Sequence, residues 1–202
     1  MSSLEEALLA ARDEEELAFG QFVRETAAEL DFSEITYRRT EFRQCRFTGC
    51  DFSGASFYDC TFSECAFSAC RFPEGYWKDC KLEGCKADGS DFRKSRFKDC
   101  ALSGLLLRYG NFAECAFERT ALAECDFTEA FLQGCRFPRS TFRKVDFTKA
   151  ELFRAELEKA DLSSCTLDGI SLSASCKELR GARIHSSQAA VVARILGLEV
   201  VP

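Results

Sequence analysis

Every fifth residue from Phe32 to Leu172 is apolar, and all but one are large. The 29 positions whose numbers end in 2 or 7 hold 16 Phe, 10 Leu, Tyr37, Trp77 and Ala87, with no slip in the frame. A helix repeats near 3.6 residues and a strand alternates every two, so neither sustains a period of five. Two residues before each large position lies a second column, mostly Cys, Ala, Ser, Thr or Gly, as in DFSGA, RFTGC and DFRKS. The other three places of each unit are mainly charged or small and polar. Such a unit suits a solenoid: a short extended side carries one large inward side chain, and a corner follows with one small inward side chain.

The same rule accounts for the cysteines. Twelve of the 13 fall in the small column, and stacking by 20 residues builds columns such as Cys45, Cys65, Cys85 and Cys60, Cys80, Cys100. There is no CxxC pair and one histidine, His185, so packing of small thiols is expected rather than a metal or other cofactor. The opening MSSLEEALLAARDEEEL is acidic where a signal peptide is basic and then apolar, which predicts a reducing, cytoplasmic location without disulfides. No apolar run reaches the roughly 18 to 20 residues of a membrane span. A net charge of -6 argues against direct nucleic-acid binding. HExxH, GxSxG and a Gly-rich phosphate loop are all missing, so a non-enzymatic protein is expected.

Three segments follow. Residues 1–29 are expected to form a helical cap: Ser3 and Glu6 have capping-box spacing, Leu4, Leu8 and Ala11 form a stripe over a helix near 4–12, and Asp13 with Glu14, Glu15 and Glu16 can start another helical turn. Residues 30–174 form the repeat. In 175–202 the frame slips by two and resumes at Leu179 and Ile184; Ser186 or Ser187 then caps a helix ended by Gly197, and LEVV follows as a strand. Val191, Val192, Ile195 and Leu196 line one side of that helix.

The repeat resembles the pentapeptide-repeat proteins, with consensus A(D/N)Lxx, over about 145 of the 202 residues, although Phe replaces Leu and Cys replaces Ala at many positions. The resemblance implies an all-β solenoid, a right-handed quadrilateral β-helix with four units per coil. About seven coils would make a rod of about 35 Å at the strand spacing of about 4.8 Å. The segment LRGARIHSSQAAVVARILGLEVV is similar to the C-terminus of the quinolone-resistance (Qnr-type) members. That similarity implies a homodimer through Val191, Val192, Ile195, Leu196 and Leu198, with an intramolecular cap as the alternative. It also implies a rod that mimics DNA, binds DNA gyrase or topoisomerase IV, and protects the enzyme from quinolones or similar toxins. The alternative is a generic structural or protein-interaction module with another partner, because a repeat fold does not encode function. Loops that interrupt the repeat in some Qnr-type members have no counterpart between Phe32 and Leu172, so no loop residues carry over.

Outward positions offer two candidate partner surfaces. Asp31, Asp51, Asp91 and Glu151 share one column, interrupted by Arg71, Asn111 and Phe131, while Phe131 and Phe153 fall on one side in adjacent coils as an apolar patch. Between residues 30 and 174 the side centred on Phe32 sums to -3, that centred on Tyr37 to +3, and the other two to -1 each. Duplex DNA of the rod's length carries about 20 charges, so shape and a local acidic strip, rather than matching charge, would have to serve mimicry.

Overall fold

A computed structural model describes residues 3–201. The chain opens with a helix, α1, over Ser3–Glu14 that lays Leu4, Leu8 and Ala11, all buried, on the end of the core. The expected cap at Ser3 lies outside the described side chains. Glu15 takes a φ of +56° and turns the chain into an extended segment, Glu16–Ala18, so Glu14–Glu16 start no further helix. Leu17, Phe22 and Ala27 then point inward like the later large positions. The expected helical cap over 1–29 is therefore corrected: α1 alone is the cap, and the coils begin at Glu16. The small column is occupied here by Glu15, Gly20, Glu25 and Leu30, which hides the frame in the sequence.

From there the chain is a parallel β-solenoid with four faces. The first face stacks Glu16–Ala18, Thr36–Arg38, Ser56–Tyr58, Tyr76–Lys78, Arg96–Lys98 and Ala116–Glu118. The second is a seven-stranded sheet running from Gln21–Val23 to Thr141–Arg143. Thr26–Ala28, Arg46–Thr48 and Ala66–Ser68 begin the third. Single-residue parallel bridges make up the fourth, in the order Asp31, Asp51, Arg71, Asp91, Asn111, Phe131, Glu151, Ser171. Pairing is in register at 20 residues, as in Phe42 opposite Phe62 and Trp77 opposite Phe97.

Five-residue units work because each corner is bought with backbone conformation. The residue two after the large one adopts the left-handed region almost throughout, as at Glu34 (φ +61°), Asp59 (+53°), Lys94 (+60°) and Gly104 (+61°). That reversal of φ turns the next residue inward, where a small side chain usually fills the space beside the ring of its neighbour and Ile35, Leu105, Val145 and Ile170 are the larger exceptions.

The large residues stack into columns. Phe52, Phe72, Phe92 and Phe112 follow one another at centroid distances of 4.8, 4.7 and 4.9 Å with rings within 6° of parallel. Tyr37, Phe57, Trp77, Phe97 and Phe117 form a second column. Neighbouring columns meet edge to face, as for Phe67 and Phe72 at 5.3 Å and 82°. Parallel stacks along the axis and edge contacts across it are the two favoured aromatic geometries, each contributing about 0.5–1.5 kcal/mol beyond burial.

At the far end the two-residue slip appears as pairing of Asp161 with Arg183. The extra length is taken up by Cys176, with φ +47°, and a 3-10 turn over Lys177–Leu179. A second 3-10 turn, Ser186–Gln188, leads into α2, Ala189–Ile195. The 3-10 turn, not α2, carries the side-chain cap, and the cap is His185 rather than Ser186 or Ser187: Nδ1 accepts from the Ser187 N–H at 3.2 Å, and the Gln188 side chain accepts from the His185 N–H. His185 itself is extended, with φ -74° and ψ 151°, the backbone conformation from which an N-cap side chain reaches back to this N–H. The buried Gln188 also donates to the carbonyls of Leu162 and Cys165, closing the open end of the core. Helix α2 ends at Gly197 (φ +80°) with bonds from Gly197 N–H to Arg194 and from Leu198 N–H to Ala193. LEVV forms no strand among the described residues. No described helix is long and apolar enough to cross a membrane.

Candidate partner-binding surfaces

The inward columns are consumed by structure. Twelve cysteines are buried, Cys176 is half-buried, and all 13 are free thiols. Most of the buried thiols donate to the carbonyl of the large residue 23 positions earlier, as from Cys80 to Phe57 and Cys65 to Phe42, both at 3.4 Å. Hydroxyls do the same where Ser or Thr replaces Cys: Ser95 to Phe72 at 2.6 Å and Thr120 to Phe97 at 3.1 Å. Where the column holds Cys, Ser or Thr, the side chain therefore mostly serves as a donor as well as a small filler. Burial pushes the Cys125 thiol up to about 11 and raises Cys165 as well. Cys50 and Cys70 are stacked neighbours whose thiols shift in opposite directions, Cys50 down and Cys70 up, through their mutual interaction, and both are 1% exposed. Among the described residues, no group of three or more His, Cys, Asp or Glu could hold a metal ion.

On the fourth face the bridge ladder brings Asp31, Asp51, Asp91 and Glu151 into one column, with Phe131 next to Glu151. Most of these acids also serve their own turns. Asp31 accepts from the Ser33 N–H at 3.0 Å, Asp51 from Ser53 at 2.9 Å, and Asp91 from Arg93 at 3.1 Å. Arg93 also forms a bidentate pair with Asp91, and Arg71 stands 3.8 Å from Asp51. Burial raises the Asp91 carboxyl, but the Arg93 hydrogen bonds outweigh it and leave the group below its ordinary value. Glu151 accepts from Gln133. The strip is acidic in composition and partly neutralised in place. Phe131 and Phe153 are 41% and 43% exposed on this face, and the Arg154 guanidinium lies 5.1 Å from the Phe153 ring centroid.

At the C-terminus, Val191 and Ile195 pack partly against the core, and Val192 is half-buried. Leu196 and Leu198 are 50% and 60% exposed, and Val200 and Val201 extend the exposed apolar surface. The segment thus both caps the coil and presents an uncovered apolar surface. On the first face, where the repeat frame already turns Tyr58 and Tyr76 outward, the structure opens a notch of about 480 Å³, lined by Tyr76, Arg96, Lys98, Ala116, Glu118 and Arg136 among others. The +3 charge of that side was the available signal.

These features define a four-faced parallel β-solenoid of five-residue units, with a helix at each end and its variable chemistry confined to outward columns. The chain belongs to the pentapeptide-repeat family: the family described as a pentapeptide repeat region matches residues 75–144, and that described as pentapeptide repeats (8 copies) matches 31–74 and 132–169. No curated protein sequence matches the chain. Similar solved structures include a trypsin-treated form of QnrB1, a plasmid-mediated fluoroquinolone resistance protein (18% identity, 91% of this chain and 100% of that one, TM-score 0.40). Full-length QnrB1 is 21% identical over 91% of this chain and 100% of its own, with TM-score 0.34. HetL, a pentapeptide-repeat protein involved in heterocyst differentiation regulation from the cyanobacterium Nostoc, is 12% identical over 87% and 92%, with TM-score 0.32. At these identities and scores no function is carried over from any of them.

Proposed function

We propose that the protein acts without catalysing a reaction, as a rigid rod that binds a protein partner along its outward columns. One observation carries this reading. The inward positions hold stacked rings and small side chains, many of them bonded to carbonyls, so the chemistry open to a partner lies on the faces. A rigid backbone presents those groups with little ordering cost on binding. Within this reading, the partner assigned is DNA gyrase or topoisomerase IV, and the effect is protection from quinolones or similar toxins. The feature that favours it is the ladder of Asp31, Asp51, Asp91 and Glu151 on one face of an uninterrupted rod, a shape and charge suited to a basic DNA channel. A homodimer through Leu196 and Leu198, with Val192 beside them, would lengthen the rod and cover the exposed leucines, while Val191 and Ile195 of the expected set pack against the chain's own core.

The test is direct binding of purified protein to gyrase and to topoisomerase IV, with supercoiling and quinolone-stabilised cleavage as readouts. Binding and altered cleavage are expected, both weakened by Asp51→Lys with Asp31→Lys. If neither enzyme responds while a pull-down from bacterial lysate retains another protein, the rod binds a different partner and the gyrase assignment fails.

A further inference from the structure

The first face carries a feature that the acidic-strip reading does not use. In its outward ladder, Arg96 pairs with Ala116 and Ala116 with Arg136. Two guanidinium groups therefore flank a methyl group, with backbones two strand steps, about 9.6 Å, apart. The alanine leaves the notch of about 480 Å³ between them. Lys98 lies beside Arg96, Tyr76 closes one end, and the Tyr58 ring packs 5.6 Å from that of Tyr76. Arg96, Lys98 and Arg136 make no ion pair with any described residue, whereas most of the arginines around them are engaged: Arg119 bonds Asp99 at 2.6 Å and also holds Glu118, and Arg38 bonds Glu16 at 3.1 Å. Two acids line the notch, Glu118, which is already bonded by Arg119, and Glu156 at the far end.

We propose that the Arg96–Ala116–Arg136 notch is a docking site for an acidic protein segment in extended conformation. Same-side carboxylates of an extended chain recur at about 6.8 Å, short enough for both to fall between the two guanidinium groups, with the backbone passing over Ala116. Arginine and tyrosine are the residues that most often carry binding energy at protein interfaces. This inference rests on the reading of the protein as a binding rod, and it is independent of which enzyme the acidic face meets.

Fluorescence anisotropy with a labelled hexapeptide of alternating Glu and Ser tests it, using the full-length protein. Binding is expected for this peptide and not for its Gln–Ser counterpart. Arg96→Gln with Arg136→Gln should weaken binding about fivefold or more. Ala116→Leu, which fills the notch without changing charge, should also weaken it, and Glu156→Gln should tighten it. The control is Arg46→Gln with Lys86→Gln, which removes equal charge from the third face. An equal loss in that control, tighter binding of oligothymidylate than of the peptide, or no peptide binding at all overturns the proposal. None of these results bears on the gyrase assays, so the two readings fail separately.

Discussion

Asp161 and Arg183 are bridged across the last coil at a separation of 22 residues, where the repeat elsewhere pairs at 20, and their side chains form an ion pair at 3.1 Å. The two extra residues lie in the excursion that carries the 4% exposed Glu178 into the core's edge. There its carboxylate accepts from the Arg154 N–H at 2.9 Å, the Ser173 N–H at 3.2 Å and the Ser173 hydroxyl at 2.8 Å. Burial raises this carboxyl, but the hydrogen bonds outweigh burial and hold it below its ordinary value. A group depressed in the folded state stabilises the fold above its unfolded pKa, and the stability is lost as pH falls through the folded one. Acid titration monitored by hydrogen exchange should therefore open the segment 173–184 before the central coils, beginning below about pH 4.5. Glu178→Ala should open it at neutral pH.

Thiol accessibility should divide twelve to one. Cys176 is the half-buried thiol, and the others sit inside the coils with their Sγ atoms near backbone carbonyls. A thiol reagent on the native protein should label one group readily and the remaining twelve only after denaturation. Cys176→Ser should remove the rapid phase. Rapid native labelling of many thiols would contradict the packing.

Phe92 and Arg93 are adjacent and should behave oppositely. Phe92 is 4% exposed and stacked between Phe72 and Phe112, so Phe92→Ala should cost about 3–5 kcal/mol in denaturant melts. Arg93 is exposed and pairs with Asp91 on the surface, so Arg93→Ala should change stability by less than about 1 kcal/mol.

The frame was legible because one rule fixes both inward columns: ring size sets one and the space left beside the ring sets the other. Phe32 to Leu172 therefore could be placed from the sequence. Leu17, Phe22 and Ala27 obey the same frame, but Glu15, Glu25 and Leu30 stand where small partners are the rule, so the first coil was hidden behind a segment that reads as acidic helix. The aspartates show a different limit. Asp31, Asp51 and Asp91 look like a charge strip, yet in DFS and DFR units the carboxylate also bonds the N–H two residues on, a local role that charge counting does not register. LEVV has strand propensity yet pairs with no strand among the described residues, and pairing rather than propensity makes a strand.

The corner conformation offers a gain in stability. Ala69 holds φ at +53° on an exposed corner, where an L side chain is strained. Ala69→Gly relieves that strain but adds freedom to the unfolded chain, with a net gain of about 0.5–1 kcal/mol expected in chemical melts. Gly104, at +61°, is the reverse case: an added Cβ meets nothing closer than the Gly84 backbone at 3.9 Å, so Gly104→Ala should lose about 1 kcal/mol through conformation alone. Equal and opposite signs at these two corners would separate backbone strain from packing.

The C-terminal segment predicts the oligomeric state. Val191 and Ile195 face the core, so the inward side of α2 is used within one chain, while Leu196, Leu198, Val200 and Val201 remain uncovered at its end. Val200 and Val201 belong to no strand among the described residues, and a second copy related by a two-fold axis could cover them together with the leucines. Light scattering should give twice the 22.7 kDa chain mass for the intact protein. Leu196→Asp with Leu198→Asp should give the single-chain mass with an unchanged circular dichroism spectrum, because both side chains are half-exposed or more in one chain. A wild-type monomer would leave α2 as a cap alone, closing the core through Gln188 and the Schellman bonds at Gly197, and would withdraw the dimer from the proposed function.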